Sequence, residues 1–375
     1  MGLLGKIIVL FISMFVLLFS YIFLFGYNKL NVDNFDAKLF SNQDCISLNT
    51  NHDGTEDIEF FNEEYLITAA GNFHWFYSHI KVDSVPSGEI YLINKNGREN
   101  PIKLEMVDYP KDVSFHPHGI FTKNKKFLYV LNHAFNKGGE RIDYFEIDVA
   151  NKKALYKSSM IFEDEYNGKI NDFVVLDDYN TIIASTWRAF KINKNEPNKF
   201  LSIMEFILSF IEIKLNNVIT CGFKENKCKI LESFVMSNGV NWNRKDKVYV
   251  VDSSQRMVKE FKIRFSPNDS SFNGLDLIHI RTINIGFFLD NVIYDEENDK
   301  LYLALFATPI KLGNVLQYYE KNQSLPEKNL SQDFTKAVSI AGSLTCPLSA
   351  DIRIEDCICA TFLRNVFMIS PDSIG

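Results

Sequence analysis

Beyond about Cys45 the chain alternates short apolar runs with polar turns. Residues 88–93, 127–131, 180–184, 247–251 and 300–305 are rich in Ile, Leu, Val and Tyr and bounded by Asn, Asp, Gly or Lys. Runs of this length and composition predict β-strands. Alignment of the runs brings out a repeat. HGIFTKNKKFLYVLNHA, NDFVVLDDYNTIIAST, NGVNWNRKDKVYVVDSS and DNVIYDEENDKLYLALF share one plan. A polar stretch opens an apolar strand, a turn rich in Asp, Asn or Lys follows, and a second strand runs back. Repetition of this kind, with four strands to a unit, predicts propeller blades. We expect an all-β fold, a six-bladed β-propeller with uneven insertions over 45–375. The first strand of each blade then lines a central channel, and the opening polar residues meet there.

Two segments break the pattern. Residues 7–28, IIVLFISMFVLLFSYIFLFGYN, carry no charge and are long enough to span a bilayer as a helix. A cleavable signal peptide has a shorter apolar core and small residues at its exit, whereas large Tyr, Ile and Phe stand at this one. The reading is a transmembrane signal-anchor, with 1–6 as a short cytoplasmic tip and 29–44 as a linker; a cleaved signal is the alternative. Lys6 and Lys29 flank the span almost evenly, so charge does not fix its orientation. The second segment is 198–217, where Ser202, Glu205, Ser209 and Glu212 form a narrow polar stripe on an otherwise apolar helical pattern. It predicts a helical insertion. Such a helix packs as a lid on the propeller face or lies in a membrane surface, unless the segment is a misread strand pair.

Composition narrows the setting. The formal net charge is −7 and basic residues are scattered, so no nucleic-acid partner is expected. All six cysteines (Cys45, Cys221, Cys228, Cys346, Cys357 and Cys359) lie beyond the anchor. Sequons begin at Asn268, Asn322 and Asn329. Together these favour a single-pass membrane protein of the endoplasmic reticulum or cell surface, with its body luminal or extracellular. Cys221 and Cys228 flank a short turn and form either a local bridge or two buried thiols. No cysteine pair has zinc-site spacing. No nucleophile elbow or phosphate loop is present, which disfavours serine hydrolases and nucleotide enzymes.

The candidate chemistry sits at the polar pairs Glu56-Asp57, Asn171-Asp172, Asn238-Gly239 and Asp290-Asn291. Asn and Asp commonly just start turns. Four such pairs at equivalent points of a repeat point further, to converging oxygen ligands. Glu56, Asn171, Asn238, Asp290 and Asn291 offer hard oxygens only, the mixture of carboxylate and amide that suits calcium. Asp57 and Asp172, with a backbone carbonyl near Ile120, form a second candidate set. His118 and His133 end neighbouring strands. They read as a proton-sharing pair or as satisfied core histidines.

At these residues the chain resembles the paraoxonase/arylesterase family. The similarity runs from about Cys45 to the C-terminus through Gly54-Thr55-Glu56-Asp57, Ser114-Phe115-His116-Pro117-His118-Gly119-Ile120, Leu131-Asn132-His133, Ile170-Asn171-Asp172, Ser237-Asn238-Gly239-Val240-Asn241 and Leu289-Asp290-Asn291. The resemblance implies a six-bladed propeller with two calcium ions and hydrolysis of lactones, aryl esters and some organophosphates. It places Glu56, Asn171, Asn238, Asp290 and Asn291 on the catalytic calcium. Asp57, Asp172 and the Ile120 carbonyl fall on the structural one, and His118 and His133 on the histidine dyad. Asn268 falls at a common glycosylation position. The pocket wall departs from the family pattern at Thr186-Trp187-Arg188 and Leu305-Phe306-Ala307, and the expected C-terminal cysteine is replaced by Phe367-Met368-Ile369. Membrane-anchored nematode relatives act instead as chaperones for degenerin/epithelial sodium channel subunits. The expected partners are therefore membrane lipid through the anchor and the 198–217 helix, a small ester or lactone, or ion-channel subunits.

Overall fold

Each expected two-strand run forms the inner half of a four-stranded antiparallel sheet. The computed structural model describes Ser13, Val16, Leu17, Ser20, Tyr21 and His52, together with 54–71, 86–95, 99–134, 137–176, 180–191, 199–269, 271–286, 288–296, 299–305, 344–348 and 358–359. The first unit runs β1 (Gly54–Phe60), β2 (Tyr65–Gly71), β3 (Glu89–Asn94) and β4 (Ile102–Val107). The second runs β5 (Pro117–Lys123), β6 (Phe127–His133), β7 (Glu140–Asp148) and β8 (Lys153–Ile161). β9 (Ile170–Val175), β10 (Thr181–Thr186), β11 (Asn216–Gly222) and β12 (Lys227–Phe234) make the third. β13 (Ser237–Trp242), β14 (Lys247–Asp252), β15 (Met257–Phe265) and β16 (Leu275–Asn284) make the fourth. β17 (Leu289–Asp295), β18 (Lys300–Leu305), β19 (Leu344–Leu348) and β20 (Ile358–Cys359) make the fifth.

All strand neighbours within a unit are antiparallel, and the first two units join where the outer strands β4 and β8 pair in parallel. The inner strands pack side by side in the order β1, β5, β9, β13, β17, and β17 also meets β1. The fold is all-β and its sheets have a propeller-like arrangement. Five units are seen among the described residues. The expected sixth blade lies outside them, as do Cys45, Asn322, Asn329 and Phe306.

Burial explains why the second strand of each run reads as continuously apolar. β2, β6, β10 and β14 are buried along nearly their whole length, with a sheet neighbour on both sides. Outer strands such as β16 are largely exposed. The main core lies between the second, third and fourth units, where Phe121, Phe173, Phe234, Phe261 and Trp242 interlock with Ile and Val. A second core under the first two units holds Phe61, Phe115 and Phe145. A disulfide joins Cys221 to Cys228 across the β11–β12 hairpin, so the bridge is the alternative the structure adopts.

The helical insertion is shorter than the 198–217 pattern implied. It spans Lys199–Phe210. A left-handed Glu212 ends it at φ 59°. Two closing bonds accompany that turn, Glu212 N–H to the Ser209 carbonyl at 3.3 Å and Ile213 N–H to the Leu208 carbonyl at 3.1 Å. These are the paired bonds of a Schellman cap. Asn216 and Asn217 then pair with Phe234 and Ser233 in β11. Two residues of the polar stripe, Glu205 and Ser209, are turned to the protein, whereas Glu212 is exposed. Glu205 accepts the Ala189 N–H, and Ser209 is buried against Ser254. Phe200, by contrast, is 67% exposed. Of the anchor, the described Ser13, Val16, Leu17, Ser20 and Tyr21 are helical and exposed. Among the described residues no helix is long and apolar enough to cross a membrane, and the rest of 7–28 lies outside them.

Candidate active site and metal centre

One backbone irregularity recurs at every inner strand. Register shifts set Glu56-Asp57 opposite Ala69, His118-Gly119 opposite Leu131, and Asn171-Asp172 opposite Ser185. Asn238-Gly239 lies opposite Val251, and Asp290-Asn291 opposite Ala304, in the same way. Two residues against one is a β-bulge, which bends the strand and re-aims its side chains. The sequence-predicted pairs are these bulges. His118-Gly119 is a fifth of them, so His118 stands where its neighbouring units carry Glu56 and Asn171.

The second bulge position stitches the inner strands together. Asp57 accepts the Ile120 N–H at 2.9 Å, and Asp172 accepts the Val240 N–H at 2.6 Å. The Asn291 amide donates to both the backbone and the side chain of Glu56, at 3.1 and 2.9 Å. Glycine occupies the two remaining second positions because there is no room for more. A Cβ on Gly119 would fall 2.6 Å from Asp172 Oδ1, and one on Gly239 would fall 2.6 Å from Asn291 Cα.

The first positions bring the oxygens together. Asn238 donates to Asp290 at 3.1 Å, and His118 Nε2 lies 3.8 Å from Glu56 Oε1. Glu56 Oε2, Asn171 Oδ1, Asn238 Oδ1 and Asn291 Oδ1 are buried and accept no hydrogen bond among the described residues. Four orphaned oxygens are costly for a protein that leaves them without a partner. Charge adds to the strain. Burial, with the Asp290 and Asp172 charges, holds the Glu56 carboxyl well above the usual range. Burial also pushes Asp290 up to about 7. A dication that takes oxygen ligands would satisfy both demands, and the residues fit one. No cluster of three or more His, Cys, Asp and Glu is placed to hold a metal among the described residues; Asn supplies three of this set.

The second set also comes together. Burial and, next, the charges of Glu56 and Glu59 raise Asp57; burial and the Asp57 charge raise Asp172. Ile120 meets Asp57 through its N–H, a contact the sequence reading, which used its carbonyl, did not contain.

His118 and His133 face each other with ring centroids 5.0 Å apart. His118 Nδ1 lies 2.8 Å from the Asn171 carbonyl, which can only accept, so Nδ1 carries the proton and Nε2 points toward Glu56. Burial, reinforced for His118 by its neighbour, pushes both rings down to about 3. Both are therefore neutral. His133 Nδ1 meets Glu140 at 2.8 Å. Asn132 fixes the strand ends around them by accepting the His116 N–H and donating to Tyr109, Ser114 and Asp143.

A sequence model of the arylesterase family matches residues 38–331. The chain belongs to the arylesterase family. Among curated proteins of this family, human (Homo sapiens) serum paraoxonase/lactonase 3 is 23% identical over 285 residues, covering 72% of each chain. The mouse (Mus musculus) serum paraoxonase/lactonase 3 is 23% identical over 290 residues, covering 74% of this chain and 73% of that protein. Among solved structures, a luciferin-regenerating enzyme aligns with TM-score 0.41 and 14% identity, over 70% of this chain and 74% of that one. The fold assignment rests on the sheets described above.

Of the residues that depart from the family pattern, Thr186 ends β10, Trp187 and Arg188 follow it, and Leu305 ends β18. Trp187 donates its backbone N–H to the Lys169 carbonyl, and the Arg188 guanidinium lies over the Trp187 ring at 4.8 Å. Asn268 is exposed in a turn. Sequence reasoning missed Glu140. The Gly138-Gly139 pair signals a turn in sequence but not its register: both residues take positive φ and turn the chain so that Glu140 pairs opposite His133.

Proposed function

We propose that this protein is a membrane-tethered, calcium-dependent hydrolase of aryl esters and lactones. The observation that carries the reading is the set of four orphaned oxygens beside the His118–His133 pair. Glu56, Asn171, Asn238, Asp290 and Asn291 would hold the catalytic calcium; Asp57, Asp172 and the Ile120 carbonyl would hold the structural one. When bound, calcium supplies Lewis-acid polarisation of the substrate carbonyl and stabilisation of the oxyanion. His118 Nε2 accepts a proton from water as the new C–O bond forms. His133 shares that proton, which returns to the leaving alkoxide or phenoxide as the ester bond breaks. The products are an acid and an alcohol, or one hydroxy acid from a lactone.

The cellular setting follows the same reading. The 7–28 segment anchors the chain. The Cys221–Cys228 bridge and the exposed Asn268 suit a luminal or extracellular body. The Lys199–Phe210 helix contacts lipid, because its polar residues Glu205 and Ser209 are turned to the protein and Phe200 outward.

The test is turnover of a lactone and aryl-ester panel by the purified full chain in lipid nanodiscs. We expect activity that a strong chelator removes and added calcium restores. Protein that holds calcium by elemental analysis yet hydrolyses neither class would overturn the hydrolase reading. That result would favour a calcium-stabilised binding scaffold, an assembly factor for ion-channel subunits, a reading supported by the departure from the family pattern at Thr186-Trp187-Arg188.

A further inference from the structure

The most deeply buried charge-bearing contact near the histidines belongs to neither oxygen set. The His133 and Glu140 side chains are both 0% exposed and meet at 2.8 Å. Glutamate is rarely buried this fully without a partner that needs it. Its other oxygen accepts the Ile170 N–H at 3.2 Å. Ile170 immediately precedes Asn171, whose carbonyl holds His118 Nδ1 at 2.8 Å. One dipeptide of β9 therefore orients both histidines. Its carbonyl does so directly for His118, and its N–H does so through Glu140 for His133.

We infer that Glu140 is a positioning residue that locks His133 in the Nδ1–H tautomer and sets its ring against His118; the inference rests on the hydrolase reading. A carboxylate only accepts hydrogen bonds, so the ring nitrogen facing it must carry the proton. That leaves Nε2 of His133 as its basic nitrogen. The antiparallel register puts the two side chains on one face of the β6–β7 pair, which makes the contact a property of the fold. When the histidine pair takes up a proton, the charge on His133 lies against a carboxylate already aligned with it. An amide in place of such a carboxylate frees the ring to adopt the wrong tautomer, the fault that inactivates triads built on the same logic.

The experiment uses full-length wild type, Glu140→Gln, Glu140→Asp, His133→Gln and the Glu140→Gln/His133→Gln double variant, all loaded with calcium. Imidazole 15N NMR reads the tautomer of His133, and steady-state kinetics read kcat and KM. We expect a protonated Nδ1 in wild type and a mixed tautomer in Glu140→Gln. We expect kcat in Glu140→Gln to fall roughly 100-fold with KM little changed. Adding Glu140→Gln to His133→Gln should have no further effect, since the residues act as a unit. An unchanged tautomer, an unchanged kcat, or additive losses in the double variant overturns the inference. Where Glu140→Gln does not fold, Glu140→Asp decides: it keeps the charge but shortens the reach, so kcat must fall by a smaller factor and the Nδ1 signal must move. If wild type hydrolyses nothing, the hydrolase reading fails by itself, and the tautomer measurement still decides the role of Glu140.

Discussion

Two substitutions at different bulges should separate chemistry from metal holding. His118→Gln removes the imidazole placed to take a proton beside Glu56, because an amide does not accept one at neutral pH. Turnover should fall by roughly 10²–10⁴-fold while calcium content and melting temperature stay near wild type. Asp290→Asn removes a carboxylate from the oxygen set, so both calcium content and activity should fall. Parallel calcium analysis and kinetics check the pair, and equal calcium loss in both variants would place His118 in the metal shell. Gly239 gives a purely steric test. A methyl group there meets the β17 backbone at 2.6 Å from Asn291 Cα and 2.8 Å from Val292 N. Gly239→Ala should destabilise by roughly 1–3 kcal/mol in urea titrations, the usual range for overpacking. It should also weaken calcium binding, because β17 must move and carries Asn291. These residues were legible in the sequence as pairs, since hard-oxygen side chains recur at one point of the repeat. Glu140 was not, because its meaning depends on which residue lies across the hairpin.

At the scale of the element, strands were readable and their register was not. A second strand such as Phe127–His133 announces itself through continuous apolar residues bounded by turn formers. A bulge, however, is a relation between two strands, and composition does not encode it. The pairs look like strand openings in sequence, whereas the structure uses them as breaks in pairing. The helix shows the same limit. Its period was visible, but the polar stripe was assigned no direction; the structure turns Glu205 inward, where it accepts the Ala189 N–H, and buries Ser209, whose backbone carbonyl accepts the Ser254 hydroxyl. That leaves Phe200 exposed at the start of the helix and Ile211, Ile213 and Leu215 exposed beyond its end. Phe200→Trp in full-length protein should therefore be quenched by brominated lipids in nanodiscs, above the background of the three native tryptophans. A Phe200→Trp signal insensitive to bromine would show that the helix stands away from lipid and serves as a lid.

At the scale of the molecule, the inner strands of five units meet at a cluster of like charge, and this couples folding to calcium and pH. In the calcium-free protein, burial and mutual repulsion raise the carboxyls of Glu56, Asp57 and Asp172, and burial takes Asp290 up to about 7. Unfolded carboxyls lose their protons near pH 4. Between that pH and about 7 the native state holds more protons than the unfolded state. The sign follows: the stability of the calcium-free fold is greatest below the unfolded values and falls as pH rises through the folded ones. Calcium reverses the slope, because its ligands must be deprotonated and it binds the native arrangement of segments. A ligand present at about 1,000 times its Kd adds about 4 kcal/mol to stability. Thermal melts of the full chain across this range should thus diverge. With chelator, the melting temperature should fall from acid to neutral pH; with saturating calcium it should hold or rise. Parallel curves, with and without calcium, would mean that these carboxylates do not close on a metal and that the strands are held by their hydrogen-bond stitches alone.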